Sequence, residues 1–271
     1  MKHPAPVVLA LVSLASLTLN AQRTPRRPAA DTARPARPAA APRTERPVPF
    51  APGETLSYDV SWSSSLTAGT ATTTVREKKP SFNSTAYYIV AEGRPTALLS
   101  KLYSVYYKID SLLDTFTLLP QRGSVYSEEG ARHRFKTTRF DRAAKKVLFE
   151  YRSDTTIKAD FATSAVTQDA LSAIYVLRAI PLKTGDRMSM PVTDNGINYR
   201  VQFEAGAIEK VRAPIGERAA LKIRLSVFDD KNRPVGRNVA IWVTDDARRL
   251  PVKLTADLPV GSFNLLLREA R

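Results

Sequence analysis

The chain has 271 residues, two histidines, no cysteine and a formal net charge of +15. The missing cysteines exclude a disulfide framework, a thiolate metal site and the lipid anchor that bacterial lipoproteins carry on a cysteine. The length allows one large domain or two small ones, and the positive charge comes without zinc-finger spacing or a helix–turn–helix pattern, so nucleic-acid binding is not predicted.

Residues 1–21 have the layout of a secretory signal peptide. A short basic start, "MKH", precedes an apolar core from Val7 to Leu19, and Ala21 is the small residue after which cleavage is expected. The apolar run is shorter than the roughly 20 residues that cross a bilayer, so a retained membrane anchor is the less favoured alternative. We predict an exported protein of the periplasm or cell envelope that is not lipid-anchored through cysteine.

Residues 22–48 form a segment rich in proline, alanine and arginine. It contains six prolines and seven arginines, with no aromatic or branched apolar residue before Val48. Such a segment buries too little apolar surface to offset its chain entropy, so a disordered, partly polyproline-II linker is predicted. Its net charge is +5, because Asp31 and Glu45 oppose the seven arginines. Much of the positive charge therefore belongs to the rest of the chain.

The remaining residues, 49–271, are predicted to form a single β-rich domain. Leu56, Tyr58, Val60 and Trp62 share one face of a strand, with polar residues between them. The pattern recurs in Tyr87–Ala91, Val105–Ile109, Val147–Tyr151, Tyr199–Phe203, Leu221–Val227, Val252–Leu258 and Phe263–Leu267. This alternation is typical of antiparallel strands with one buried face, and about eleven or twelve strands are expected.

Two stretches carry helical spacing instead. The sequence "DALSAIYVLRAIPLKTGD" (169–186) predicts a helix over about residues 168–180, with Thr167 as N-cap and Pro181 ending it. A second, short helix is predicted near residues 95–103. The longer helix is apolar around most of its circumference and must be covered. We therefore predict a mainly β fold, in which a curved antiparallel half-barrel, or incomplete barrel, wraps around this central helix.

The ordered motifs of the domain resemble the DUF3108 family of exported bacterial proteins. The opening "PFAPGETLSYDVSW" is similar to the family pattern F-x-x-G-E-x-L-x-Y-x-V. The segments that follow in the family's order are "AG" at Ala68–Gly69, "TLLPQRGSVYSEEG", "FD" at Phe140–Asp141, "DALSAIYVLRAIPLKTGD" and "IWVTDDARRLPVKL". The resemblance covers roughly residues 49 to 267. It implies a YmcC-like half-barrel with a helix-lined concave surface, similar to lipoprotein carriers, and an exported location; it supplies no catalytic residues.

No catalytic, cofactor or metal site is predicted. His133 is the one histidine outside the predicted signal peptide, and it lacks the motif of a serine nucleophile. The acidic residues near Asp229 match a hairpin turn better than a calcium loop. A glycosidase needs two carboxylates across a cleft, and Asp59, Asp110 and Asp169 could supply them only if the fold brings them together. We accordingly predict that the protein is not an enzyme.

Four aromatic residues are candidates for a ligand site on the concave face: Trp62, Tyr107, Tyr175 and Trp242. There they would line a slot for an acyl chain or a sugar. The alternative is ordinary core packing of the helix, which is favoured by the usual burial of aromatic side chains.

The run "RHRFKTTRFDRAAKK" contains candidates for binding an anionic surface: Arg132, Arg134, Lys136 and Arg139. The first three fall on one face of a strand, about 6.8 Å apart at two residues' rise, and could dock phosphates. A solvated outer face that discourages edge-to-edge pairing is the alternative, and it is favoured.

Three functions remain open from the sequence. The first is a non-enzymatic envelope protein that binds or carries a lipid or glycolipid, or docks on an anionic envelope surface. The second is an assembly partner of another envelope protein, and the third is a hydrolase acting on envelope glycan. A carrier requires an apolar cavity beside the helix, an assembly partner a filled interior, and a hydrolase two acids in one cleft.

Overall fold

The structure is a computed structural model that describes residues 43–63, 67–101, 104–258 and 261–271. The predicted signal peptide and most of the predicted linker lie outside the described residues. Among the helices of the described ranges, none has the length and apolar character needed to cross a membrane.

Fourteen strands of the described chain form one antiparallel sheet. Their bounds are β1 Thr55–Trp62, β2 Thr67–Ser81, β3 Ser84–Pro95, β4 Val105–Asp114, β5 Pro120–Glu129, β6 Arg132–Asp141, β7 Lys146–Arg152, β8 Thr156–Ala162, β9 Arg187–Asp194, β10 Ile197–Ala213, β11 Gly216–Phe228, β12 Arg237–Thr244, β13 Pro251–Leu258 and β14 Gly261–Ala270. Strands that follow one another pair from β1 to β8 and from β9 to β14, and β1 pairs with β14. The sheet thus has two edges, β8 and β9, and the mainly β prediction is confirmed.

The two helices are α1, Ala97–Ser100, and α2, Ala170–Ala179, as predicted near residues 95–103 and 168–180. Helix α1 is a single exposed turn capped by Thr96. The N-cap of α2 is Asp169 and not Thr167, so that part of the prediction is wrong. Both residue types cap helices, but the side chain of Asp169 accepts from Ser172 N and forms a capping box with it.

The sheet curls around α2. One hydrophobic cluster contains Tyr87 of β3, Tyr175 and Leu177 of α2, and Val201 and Phe203 of β10. Strands β3 and β10 are far apart in the strand order, so one face of the sheet can meet the helix from both sides only if it is concave. The helix therefore occupies the interior of a half-barrel, as the apolar circumference predicted.

The two edges of the sheet approach each other without pairing as strands. Asn198 of β10 donates its Nδ2 to the carbonyl of Ala162 in β8, at 2.8 Å. The segment before α2 lies along β9, where Gln168 N donates to Pro191 O at 2.9 Å. The gap between β8 and β9 is therefore bridged at one end by the Asn198 side chain and by the segment that leads into α2.

The packed domain begins at Arg43, before the predicted boundary at residue 49. Arg46 N donates to the carbonyl of Thr115 at 2.9 Å. The carboxylate of Glu45 lies 2.5 Å from Lys78 Nζ, and Val48 packs against the core cluster. Residues 43–48 contain no helix or strand, but these contacts hold them on the domain, and the predicted disordered linker does not extend over them.

Candidate ligand-binding site

The C-terminal end of α2 is fixed by a buried ion pair. The side chain of Arg178 is 0% exposed and that of Glu54 is 7% exposed. Nη1 and Nη2 of Arg178 donate to the two carboxylate oxygens of Glu54 at 2.6 and 2.9 Å. The same guanidinium donates to the carbonyls of Arg248 and Arg249, each at 3.1 Å. A bidentate, further hydrogen-bonded pair of this kind tolerates burial because its charges are mutually compensated.

Arg249 in turn binds the C-terminal end of the helix through its side chain. Its Nε and Nη2 donate to the carbonyls of Arg178 and Ile180 at 2.6 and 2.7 Å. The last carbonyls of a helix lack intrahelical donors and carry partial negative charge, so a cation at this position satisfies both needs. Burial lowers the pKa of Arg249. The sequence "DDARRLP" thus anchors α2 to the β12–β13 connection.

The N-terminal end of α2 carries a buried carboxylate. Asp169 accepts from Ser172 N at 2.7 Å and from the hydroxyl of Ser111 at 2.6 Å. Burial raises the pKa of Asp169 to about 6, against the opposing effect of these two hydrogen bonds. Unlike the other end of the helix, this end has an acid that forms no salt bridge within the described chain. Asp169 also lines a polar cavity.

Two apolar cavities lie beside the helix within the half-barrel. The first has a volume of about 200 Å³ and the second about 310 Å³. Both are lined by Ala170, Ile174, Leu254 and Leu265, so they meet along one side of the helix. Ala170 is exposed and the other three shared residues are half-buried. The concave surface is therefore only partly filled by α2, which leaves apolar volume that small-molecule sites typically use.

A third cavity, which is polar, adjoins the first two. It has a volume of about 310 Å³ and lies at the N-terminal end of α2. Lys136, Thr193, Asp194 and Asp169 contribute polar groups to its wall, while Ala170 is shared with both apolar cavities. Burial raises the pKa of Asp194, and the charge of Lys136 opposes this effect. Polar and apolar volumes therefore meet at the first turn of the helix.

Of the four predicted aromatic residues, two face these cavities. Tyr175 lines the first apolar cavity and is buried, which raises its pKa to about 12. Tyr107 lines the polar cavity, and its hydroxyl donates to Glu129 at 2.5 Å. Trp62 is 51% exposed and is stacked on Phe263, which lines the second apolar cavity.

Trp242 does not lie on the concave face, so its predicted place in the site is wrong. It is paired in register with Lys222 and Lys253, and the ammonium groups of both lie over its ring. Its indole Nε1 donates to Glu209 at 2.9 Å. Its neighbours Ile241 and Val243 belong to the cluster around the helix, and alternation along β12 places Trp242 on the opposite face.

The predicted cation ladder is divided between the two faces of β6. Lys136 lines the polar cavity, so alternation places Arg132 and Arg134 on the same, concave face. Arg134 Nη1 contacts Glu129 at 3.0 Å. Arg139 lies on the convex face, over the ring of Phe82 at 4.9 Å. The outer face of the favoured interpretation is therefore wrong for Arg132, Arg134 and Lys136, which lie on the concave face, whereas Arg139 does lie on the convex face.

The three candidate acids do not converge. Asp59 contacts Arg268 at 3.1 Å, and the carboxylate of Asp110 contacts Ser124 and Arg122. Ser111, adjacent to Asp110, reaches Asp169 on the concave face, so the Asp110 carboxylate points to the convex face. The backbone N–H groups of Lys231 and Arg233 donate hydrogen bonds to the carboxylate of Asp229, as the turn interpretation predicts. Among the described residues, no cluster of three or more metal-ligating side chains occurs.

Sequence reasoning named Lys136 and Asp169 but missed other polar residues around the helix, among them Glu54, Arg178 and Asp194. Glu54 and Arg178 are separated by 124 positions, and although both lie in segments that resemble the family, nothing in those segments pairs the two residues. Asp194 begins the sequence "DNG", which is typical of a tight hairpin turn and of no particular site, and Asn195 and Gly196 have the positive φ values that such a turn needs. A usable signal was present for Arg178, since a lone cation in an otherwise apolar helix requires a buried acidic partner.

Comparisons with known proteins agree with the fold. The family described as "Protein of unknown function (DUF3108)" matches residues 57–268. The chain belongs to this family. A search of curated proteins finds no match.

Two solved structures are similar to the domain. The beta-barrel-like protein of the domain of unknown function DUF1849 from Brucella abortus is 12% identical, with a TM-score of 0.52; the match covers 83% of this chain and 98% of that protein. A Bacteroides fragilis protein with a YmcC-like fold is also 12% identical, with a TM-score of 0.34, and the match covers 84% of this chain and 100% of that protein. At this identity the first similarity supports the half-barrel fold alone.

Proposed function

We propose that this member of the DUF3108 family is an exported, non-enzymatic protein that binds an amphiphilic molecule of the cell envelope inside its half-barrel. The observation that carries the proposal is the pair of apolar cavities beside α2, which meet along Ile174 and Leu254. A sheet that served only as a scaffold would gain stability by filling this volume, because interiors are normally packed to high density.

The apolar cavities suit the acyl part of the ligand. Their linings are almost entirely apolar, and the sheet residues of the second cavity include Phe203, Leu225, Leu254, Phe263 and Leu265. Several of these side chains are only half-buried, so a bound chain would remove further apolar surface from water. Each buried methylene contributes about 0.8 kcal/mol to binding on this basis.

The polar cavity suits the head group. It shares Ala170 with both apolar cavities, which makes the three volumes neighbours at the first turn of α2. Lys136 offers an ammonium donor, Thr193 a hydroxyl and Asp194 a carboxylate. This juxtaposition of one apolar and one polar compartment is the arrangement that a lipid or glycolipid needs, and it supports the carrier hypothesis over an assembly partner with a filled interior.

The exported location rests on the N-terminal sequence. The apolar core Val7–Leu19, the basic start and Ala21 have the layout of a signal peptide. The positive net charge of the chain also favours an anionic envelope as its surroundings.

The proposal is tested by native mass spectrometry of protein purified from its own envelope, together with titration of the delipidated protein by cis-parinaric acid. We expect a co-purifying amphiphile and saturable fluorescence enhancement. The Ala170→Phe variant places a ring at the wall shared by all three cavities and should weaken binding of the probe at least about ten-fold.

Ala219→Phe is the matched control, because Ala219 is exposed on β11 and lines none of the described cavities. This variant should bind the probe like the unaltered protein. Absence of any amphiphile in the native spectrum, combined with no saturable probe binding, would refute the proposal. Equal weakening by both variants would place the probe outside the half-barrel.

A further inference from the structure

Strand β8 presents an unpaired edge along the sheet. In the described chain β8 pairs only with β7, and its residues from Thr156 to Asp160 are all exposed. Ile157 is 55% exposed, which is high for an isoleucine. An exposed edge is a template for pairing with another strand unless charge or shape prevents it.

The register with β7 shows which backbone groups of β8 point outward. Thr163 N donates to Lys145 O at 2.9 Å, at the continuation of the β7–β8 ladder. In an antiparallel ladder, residues alternate between groups that bond the partner and groups that point away. Odd-numbered residues of β8 therefore bond β7, and Thr156, Lys158 and Asp160 direct their N–H and C=O groups outward. The carbonyl of Ala162 follows this rule, since it accepts from the side chain of Asn198.

We propose that a second copy of this chain pairs with β8 edge to edge, in an antiparallel arrangement about a two-fold axis through Ala159. Lys158 of each copy then lies directly opposite Asp160 of the other, and both are residues whose backbone groups point outward. The central pairing would form four backbone hydrogen bonds between the copies, two at each Lys158–Asp160 pair.

Charge complementarity favours this register over the two neighbouring ones. A two-fold axis through Lys158 or through Asp160 would oppose identical charges at the centre of the interface, which destabilises cross-strand pairs. With the axis through Ala159, two opposite-charge pairs form on the convex face. On the concave face, Ile157 of each copy lies opposite Phe161 of the other, which covers the exposed isoleucine.

The intramolecular contacts of the two charged residues do not prevent this pairing. Lys158 lies 3.8 Å from Glu150, and its side chain is 73% exposed. Asp160 contacts Lys146 at 2.9 Å, and both side chains are about half exposed. Exposed pairs such as these contribute little and rearrange readily. Two-fold pairing also uses the β8 edges of both copies, so it closes at the dimer and does not propagate.

Reciprocal charge variants test the proposal. Their dimerisation is measured by sedimentation velocity of the purified proteins over a range of concentrations. Lys158→Asp and Asp160→Lys each create two like-charge pairs, and each should weaken dimerisation about ten-fold or more. A mixture of the two variants restores both opposite-charge pairs and should form a heterodimer. The double variant carrying both changes should form a homodimer again.

The absence of cysteine allows an independent test of the register. Residues opposite each other at a non-hydrogen-bonded position have Cα atoms about 4.5 Å apart, which a disulfide can bridge. Ala159→Cys should therefore give a disulfide-linked dimer on mild oxidation. Ile157→Cys is the matched control, because its two copies would lie about 13 Å apart and should not crosslink.

Two results overturn the proposal. One is a protein that remains monomeric at concentrations of several hundred micromolar. The other is a dimer that the single charge variants leave intact and in which the Ile157→Cys and Ala159→Cys variants crosslink equally. Circular dichroism of each variant confirms that the fold is retained, so a lost dimer cannot be attributed to unfolding.

Discussion

The buried charges at the two ends of α2 are stabilised in different ways. At the C-terminal end, Arg178 and Glu54 compensate each other and further carbonyls complete the coordination of the guanidinium. At the N-terminal end, Asp169 has hydroxyl and N–H donors but no salt bridge within the described chain, and its pKa is raised to about 6. The polar cavity lies at this second end, and all three cavities share Ala170 there, although the first apolar cavity also extends along the helix to Arg178.

The difference separates an anchor from the proposed binding region. The anchor ties the helix to the N-terminal segment and to the β12–β13 connection, which fixes the helix inside the sheet. The other end leaves Ala170 exposed and Ile174 half-buried next to apolar volume. Residues at the anchor should therefore affect stability strongly, and residues at the open end should affect ligand binding more than stability.

The largest effect is expected from breaking the anchor. Arg178→Met leaves the carboxylate of Glu54 buried without its partner, and removal of one member of a buried pair costs about 3–5 kcal/mol. Urea denaturation at pH 7 measures the change in the free energy of unfolding. The double variant Glu54→Leu/Arg178→Met removes both charges and should be more stable than Arg178→Met alone.

Arg212→Met serves as the control for this prediction. Arg212 also pairs with a glutamate, Glu217 at 3.4 Å, but its side chain is 91% exposed. The change should stay within about 0.5 kcal/mol, as is usual for surface substitutions. Similar losses for both arginine variants would contradict the distinction between the anchor and an ordinary ion pair.

The second prediction concerns the pH dependence caused by Asp169. Its pKa is raised by burial from 3.8 to about 6, so between these values the native state binds more protons than the unfolded state. The stability contributed by the protonated acid is complete below pH 3.8 and is lost as the pH rises through about 6. The loss amounts to about 3 kcal/mol.

Asp169→Asn isolates this contribution because the amide still caps a helix but does not titrate. The difference in unfolding free energy between the variant and the unaltered protein should shift by about 3 kcal/mol in favour of the variant between pH 3.5 and pH 7. The other carboxylates titrate in both proteins and largely cancel. A difference that does not change with pH would show that Asp169 is ionised normally in the native state.

Much of the sheet could be predicted because apolar and polar residues alternate along its strands, as in β1, where Leu56 and Tyr58 are buried. Strand β2 was missed because its sequence, "TAGTATTTVREKKPS", has few large apolar residues. The predicted position of Trp242 on the concave face was wrong because β12, "NVAIWV", is apolar on both faces. Alternation therefore cannot decide which face of this strand meets the helix.

The candidate site was less predictable because its members come from distant parts of the chain. The predicted aromatic residues include Tyr107 and Tyr175, which do line cavities, but the sequence gives no measure of unfilled volume. Lys136 lies on the concave face because of the orientation that β6 takes in the curved sheet, and the sequence of the strand does not determine that orientation. A period of two shows that Arg132, Arg134 and Lys136 share a face, but not which face.

The smallest effect is expected at the open side of the helix. Ile174→Ala removes a half-buried side chain that already borders two cavities, and Ala favours the helix, so the loss should be about 1 kcal/mol or less. The same substitution at Ile89, which is 0% exposed in the packed cluster, should cost about 2–5 kcal/mol. Thermal or urea unfolding of the two variants compares their losses of unfolding free energy.

Because Ile174 separates the apolar cavities, its replacement should also enlarge them, and cis-parinaric acid should bind this variant at least as well as the unaltered protein. Equal losses at the two positions would mean that the volume beside α2 is filled in solution, and the distinction between an anchored and an open end would fail.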